Sequence, residues 1–242
     1  MSPAPPASED IATVARLTEM TTLFPVPLLT FALDGAAALN AALEREIAAR
    51  RAGEVPDAPR SNRGGGWRSK RDLFERGEPA HRALAQALQA ALKLASERWV
   101  PRLDWNAVTL VHDGWINVTS RDDYHTPHDH PGAFWSGVYY VRVPVGSGPG
   151  GEIEFQSGRA GNPQAQIAPA PMSWDFLRLR PQAGYALVFP GHVRHWVTPS
   201  RQSEPRISIA FNAAFRPRAA AERGEGGGAS KSVAVPPDPS AA

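Results

Sequence analysis

Cysteine is absent from the 242 residues. That rules out a disulfide framework and any thiolate metal site, and it fits a reducing compartment. Long apolar runs are missing too, since no stretch approaches the roughly 18–20 residues needed to cross a bilayer. Neither sign of charge dominates: 26 Lys and Arg offset 24 Asp and Glu, for a formal net charge of +2. The basic residues that gather at Arg50-Arg51 and from Arg68 to Arg71 are not interleaved with aromatics as a nucleic-acid stacking platform requires. The opening Met1-Ser2-Pro3-Ala4-Pro5-Pro6 lacks the basic region and apolar core of a secretion signal. The expectation is a cytoplasmic protein with neither a nucleic-acid nor a membrane partner. Its oligomeric state is left open.

A hydrophobic fraction of 42% and a charged fraction of 21% are those of an ordinary globule, long enough for one sizeable core. The chain divides into a flexible segment over 1–20, one domain over 21–215 and a disordered tail over 216–242, where glycine and proline leave little to bury. Prolines make Phe24 to Leu29 extended. Asp34 is placed to cap a helix from about Gly35 to Arg51, with Leu39, Leu43 and Ile47 at helical spacing. A second helix is expected from Pro79 to Arg98, with Leu84, Leu88, Ala91 and Leu92 on one face. From Ala107 the texture changes. Short runs rich in Val, Ile, Tyr, Phe and Trp alternate with turns, giving strands near 107–112, 114–119, 133–143, 151–155, 172–179, 184–189, 195–198 and 206–213. Eight strands without intervening helices argue for a mainly β jelly roll, with the two N-terminal helices packed on one face.

Five of the seven histidines fall in two short segments, Tyr124 to Pro131 and Phe189 to His195. Imidazole is the commonest protein metal ligand. In an extended strand His128 and His130 face the same side, and His195 completes a set of three once the sheet folds back. His125 and His192 are spare, as groups behind the ligands or in loops, or in place of one ligand. Asp129 alternates away from its neighbours. Three ligands on one side of an iron leave positions open for chemistry. Arg206 follows His195 by 11 residues across a turn and shares a face with Ser208, Ala210 and Asn212. A buried guanidinium needs an acid, and no protein carboxylate is placed to meet this one. A ligand carboxylate gripped by Arg206 and Ser208 is therefore the expectation. Tyr140 and Asn117 are candidates to line the same cavity.

The ordered series Phe24-Pro25-Val26-Pro27-Leu28, Gly65-Gly66-Trp67-Arg68-Ser69, Trp115-Ile116-Asn117, Pro127-His128-Asp129-His130-Pro131-Gly132, Ser136 to Tyr140, Phe189-Pro190, His195 and Arg206 to Asn212 resembles the 2-oxoglutarate/Fe(II)-dependent oxygenases of bacteria and phages. The resemblance spans about residues 22–214. It implies a double-stranded β-helix (cupin-like), Fe(II) held by His128, His130 and His195, and 2-oxoglutarate with its distal carboxylate on Arg206 and Ser208. Tyr140 matches a tyrosine with that same role in related prolyl hydroxylases. The implied reaction consumes O2 and decarboxylates 2-oxoglutarate to succinate while oxidising a substrate C–H bond, most simply as a hydroxylase. One position departs from the superfamily pattern of two histidines and one carboxylate, because His130 stands where the acid is usual. Three neutral imidazoles leave such a site one unit more positive, and Asp129 or water is the alternative occupant.

A cupin-type dioxygenase, isomerase or binding protein that does not use 2-oxoglutarate is the competing reading. Against it, no glutamate follows His130 at the cupin spacing, and Arg206-Ile207-Ser208 is left unexplained. A closed structural zinc site wants cysteine ligands. The primary substrate, a small molecule or peptide, is not specified. Loops at 62–69, 122–127 and 158–171 would border the entrance, and Trp67, Trp135 and Trp174 are candidates for an apolar wall.

Overall fold

Alternation along two long strands organises this chain. A computed structural model describes residues 24–57, 61–144, 150–158 and 170–218, with residues 19, 22 and 167 singly. The N-terminal segment expected over 1–20 and the tail beyond 218 lie outside the described residues, except Glu19. In chain order the elements are β1 (Leu29–Ala32), α1 (Ala36–Gly53), β2 (Asn62–Arg63), β3 (Trp67–Arg68), α2 (Pro79–Trp99), β4 (Val108–Thr119), β5 (Tyr124–His128), β6 (Trp135–Arg142), β7 (Ile153–Gln156), β8 (Phe176–Leu179), β9 (Tyr185–Pro190), β10 (His195–Val197) and β11 (Arg206–Pro217). A six-stranded sheet runs β1-β9-β6-β11-β4-β3 and a five-stranded sheet runs β2-β5-β10-β7-β8. Every strand pair is antiparallel. The strands from β4 to β11 pass between the two sheets, which is the wrap of a double-stranded β-helix.

The two segments read separately as 107–112 and 114–119 form one strand, β4, paired along its whole length with β11. Gly114 does not break it. On the ladder Phe211 stands opposite Gly114 on one side and Gly137 on the other, and a Cβ at Gly137 would overlap the Phe211 ring. Gly137 thus leaves room for the Phe211 ring, and Gly114 for the Leu73 side chain. Strands β2 and β3, only two residues each, carry no periodicity to read.

One face of the larger sheet is the core. Ile116, Val118, Trp135, Tyr139, Val141, Ile207, Ile209 and Phe211 pack with Leu43, Ile47, Leu84, Leu88 and Leu92 from the helices. Polar pegs fix the contact: Trp135 Nε1 donates to Ser96 Oγ at 2.9 Å, and the Tyr139 hydroxyl donates to Asn40 Oδ1 at 2.6 Å. Asp34 does not cap α1. The chain turns tightly out of β1, placing Gly35 at the N-cap with φ 68, a left-handed conformation that suits glycine, and no side chain caps the helix. The first turn of α2 is instead capped from outside. The N–H groups of Ala80 and His81 donate to the two Glu46 carboxylate oxygens at 2.9 and 3.0 Å.

Truncating Phe211 to Ala should cost about 3–5 kcal/mol of unfolding free energy, because the ring is fully buried and its glycine neighbours cannot fill the void. Urea denaturation checks this, and a loss under about 1 kcal/mol would contradict the packing described.

Candidate metal centre

The other face of the larger sheet is polar and looks across a cavity of about 430 Å³ at the smaller sheet. Across β3, β4, β11 and β6 the ladder sets Arg68 opposite Asn117, Asn117 opposite Ser208, and Ser208 opposite Tyr140. All four line the cavity, together with Arg206, two residues before Ser208 on β11. The smaller sheet contributes His125 and His128 from β5 and His195 from β10. His128 and His195 are direct cross-strand partners.

His128, His130 and His195 offer ligand nitrogens within 4.8 Å of one another. The His128 and His195 ring centroids are 4.4 Å apart, and His130 lies 5.2 Å from each. His130 reaches the group by a different route from the strand alternation expected. β5 ends at His128, and a loop holds His130, whose N–H donates to the Gly191 carbonyl at 2.9 Å. His128 Nδ1 meets the Thr126 carbonyl at 2.7 Å, and His195 Nδ1 meets that of Val193 at 2.9 Å. A carbonyl only accepts, so these Nδ1 atoms carry the protons and Nε2 keeps its lone pair. Burial holds all three imidazoles below the ordinary histidine value, His130 at about 4 and His195 at about 3, and repulsion from His128 adds to the fall at the latter two. They are neutral donors at pH 7. Three such nitrogens opening onto a cavity suit a first-row divalent ion with free positions. Asp129 borders the cavity but is not among the converging donors, and His192 is exposed outside it.

The anion side is equally specific. Arg206 is 5% exposed. Its Nη1 donates to the Gly151 carbonyl at 2.6 Å, and its buried Nε has no hydrogen-bond partner. No carboxylate among the described residues lies within ion-pair distance of it. Burial pulls its pKa down, with Tyr140, Asp123 and Glu152 opposing. Tyr140 is pushed up to about 12 by burial and stays a neutral hydroxyl. Burying a guanidinium with no acid beside it is costly, so an anion in the cavity would stabilise it. Asn117 accepts from Asn62 Nδ2 at 3.3 Å, which leaves its own amide N–H groups to the cavity.

The tryptophans are corrected by the structure. Trp67 and Trp135 are core residues of the helix-facing side, and Trp174 borders a separate surface depression. Trp115 is the one that lines the cavity, with its ring 6.0 Å from His130. Two further groups were not singled out. Arg68 stands in the sequence in a basic cluster and in the Gly65 to Ser69 motif with no role attached, and its two-residue strand carries it into the site. His125 was left as a spare, yet its Nε2 is buried without a partner in the cavity wall, and its pKa falls to about 3 through burial and the charge of Arg206.

The jelly roll thus brings three imidazoles and a buried guanidinium to one cavity. Residues 113–212, which hold most of the site-bearing strands, match the family model described as "Putative 2OG-Fe(II) oxygenase". No curated protein matches by sequence. Among solved structures the chain is similar to a Pseudomonas putida prolyl-4-hydroxylase, at 19% identity over 77% of this chain and 91% of that one, with a TM-score of 0.55. It is also similar to a Trichoplax adhaerens prolyl hydroxylase in complex with a hypoxia inducible factor peptide, at 13% identity over 77% and 83%, TM-score 0.56. A third is HygX from Streptomyces hygroscopicus with nickel, 2-oxoglutarate and hygromycin B bound, at 14% identity over 78% and 83%, TM-score 0.52. At these identities the likeness is one of fold. No helix among the described residues is long and apolar enough to cross a membrane.

Because His195 is neutral when folded and has an ordinary value near 6.5 when unfolded, the unfolded chain binds the extra proton between those values. Stability of the metal-free protein should therefore be level above pH 6.5 and fall as the pH drops toward about 3. The slope reaches at most about 1.4 kcal/mol per pH unit for this residue. Urea midpoints at pH 7 and pH 4.5 test it, and His195→Gln should flatten the profile.

Proposed function

We propose that His128, His130 and His195 hold Fe(II), and that Arg206, with the Ser208 and Tyr140 hydroxyls, holds the distal carboxylate of 2-oxoglutarate. The enzyme then couples decarboxylation of 2-oxoglutarate to hydroxylation, or a related C–H oxidation, of a small-molecule or peptide substrate. The observation that carries this reading is the Arg206 guanidinium, buried in the same cavity as the imidazoles with no acid among the described residues to pair it. A planar fork matches a carboxylate in bidentate fashion, and the neutral Tyr140 and Ser208 hydroxyls add donors to the same oxygens.

When bound, the ferrous ion and 2-oxoglutarate supply the oxidation with O2, yielding succinate and carbon dioxide. The chain's own residues do the positioning. The carbonyls of Thr126 and Val193 orient two imidazoles so that their lone pairs converge. The antiparallel ladder holds Asn117, Ser208 and Tyr140 in one row, so their donors face the cavity together. Ile153, Phe189 and Val138 form an apolar part of the wall, which limits water around the ion and strengthens each charge interaction. Three neutral ligands, rather than two and a carboxylate, leave the ion's full charge to be met by the dianionic cosubstrate. A cupin-type reading leaves Arg206 with no anion.

Arg206→Ala should weaken 2-oxoglutarate binding by about 30-fold or more, corresponding to ~2 kcal/mol, and lower succinate release accordingly. Its bound iron, measured by elemental analysis, should match the wild type. His128→Ala should lower both iron content and succinate release. Unchanged 2-oxoglutarate affinity in the Arg206 variant would remove the assignment.

A further inference from the structure

The cavity holds a second buried guanidinium that the cosubstrate does not use. Arg68, on the short edge strand β3, is 4% exposed. Its buried Nε has no hydrogen-bond partner, and its one ion pair among the described residues is Nη1 to Asp57 Oδ2 at 3.3 Å. Its guanidinium carbon lies 4.5 Å from the Trp115 ring centroid, and that of Arg71 lies at the same distance. Arg71 is half-exposed and pairs with Asp113 at 3.3 Å. Trp115 in turn stands beside the metal ligand His130. Along the ladder, Arg68 and Tyr140 occupy opposite ends of the Arg68–Asn117–Ser208–Tyr140 row. The two buried guanidiniums thus address different ends of one cavity, Arg206 with Tyr140 and Arg68 with Trp115 and His130.

The ion pairs leave part of this end unmet. Asp57 is 45% exposed on its side chain and meets Arg68 only through Nη1, and Asp113 meets Arg71. The buried Arg68 Nε–H stays without an acceptor, which is costly in a desolvated wall.

We propose that the primary substrate carries a carboxylate, and that it docks on Arg68, with Arg71 beside it, against the Trp115 ring next to the metal. This rests on the reading of Arg206 as the 2-oxoglutarate anchor. Cation–π contact with Trp115 holds the two guanidiniums in place, so their N–H edges are preset for a planar anion. The carboxylate fixes one end of the substrate and leaves the C–H bond to be oxidised over the open face of the ion. An uncharged substrate would leave Arg68 with the half-exposed Asp57 as its counter-charge among the described residues.

The test uses the full chain loaded with nickel(II) and saturating 2-oxoglutarate, and probes it with benzoate and its uncharged isostere benzamide by ligand-observed NMR. A fragment of this size should bind at about millimolar concentration. Benzoate should bind the wild type at least about tenfold more tightly than benzamide, a difference of one decade in Kd. Arg68→Gln should remove that preference while leaving 2-oxoglutarate affinity within about twofold, and Arg68→Lys should restore part of it. The retained 2-oxoglutarate affinity also reports that the variant is folded.

Equal binding of the two probes, no benzoate binding, or benzoate binding indifferent to Arg68→Gln overturns the proposal. So does loss of 2-oxoglutarate binding in Arg68→Gln, which would make Arg68 a cosubstrate residue. Failure of the wild type to bind 2-oxoglutarate sinks the oxygenase assignment instead. The benzoate preference is then read on the nickel-loaded protein alone, with Arg206→Ala to exclude binding at the other arginine.

Discussion

Strand β11 has a different environment on each face, and the rest of the structure is arranged around that difference. Ile207, Ile209, Phe211 and Ala213 point into the apolar layer beneath the helices, while Arg206, Ser208 and Asn212 point the other way. Because the side-chain period of a strand is two, a one-residue slip in pairing would drive Arg206 into the core and Ile207 into the cavity. Pairing on both sides, with β4 over twelve residues and with β6, holds the register. The apolar burial that stabilises the sheet is also what places the charged groups of the site.

Placing those groups is expensive, and the cost shapes the chemistry. The imidazoles respond to burial by losing their protons, which leaves a lone pair on each ring. The guanidiniums cannot respond that way. Arg68 falls only to about 10 and stays charged at neutral pH, so compensation has to come from an anion. The cavity thus sets neutral imidazoles on one wall against charged guanidiniums on the other. The smaller sheet supplies the first through β5 and β10, and the larger sheet supplies the second through β3, β4, β6 and β11.

Much of this was legible from residue order because the features are local. The helices at 36–53 and 79–99 announce themselves by leucine spacing, and β6, β9, β10 and β11 by apolar alternation between turns. His128, His130 and His195 are conspicuous as imidazoles gathered in two segments, and Arg206 and Ser208 as a polar pair in an apolar strand. What was not legible depends on partners distant in sequence. Asp34 looked like a cap, but the turn out of β1 gave that position to Gly35. Trp67 and Trp135 looked as available as Trp115, and only the direction of each strand face separates the core from the cavity. β3 has two residues and no pattern, so nothing local places Arg68 in the cavity, and pairing with β4 carries it inside.

Composition, periodicity and motif order alone thus determined the class of fold, the kind of ligand atoms available and the presence of an arginine needing an acid, since each depends on a residue's identity and near neighbours. Tertiary structure decided which histidine is brought in by a loop, which tryptophan meets the cavity, and that a second arginine shares it. Those outcomes follow from strand register and sheet closure, which couple residues as far apart as Arg68, Asn117 and Ser208 through backbone hydrogen bonds that no local pattern encodes.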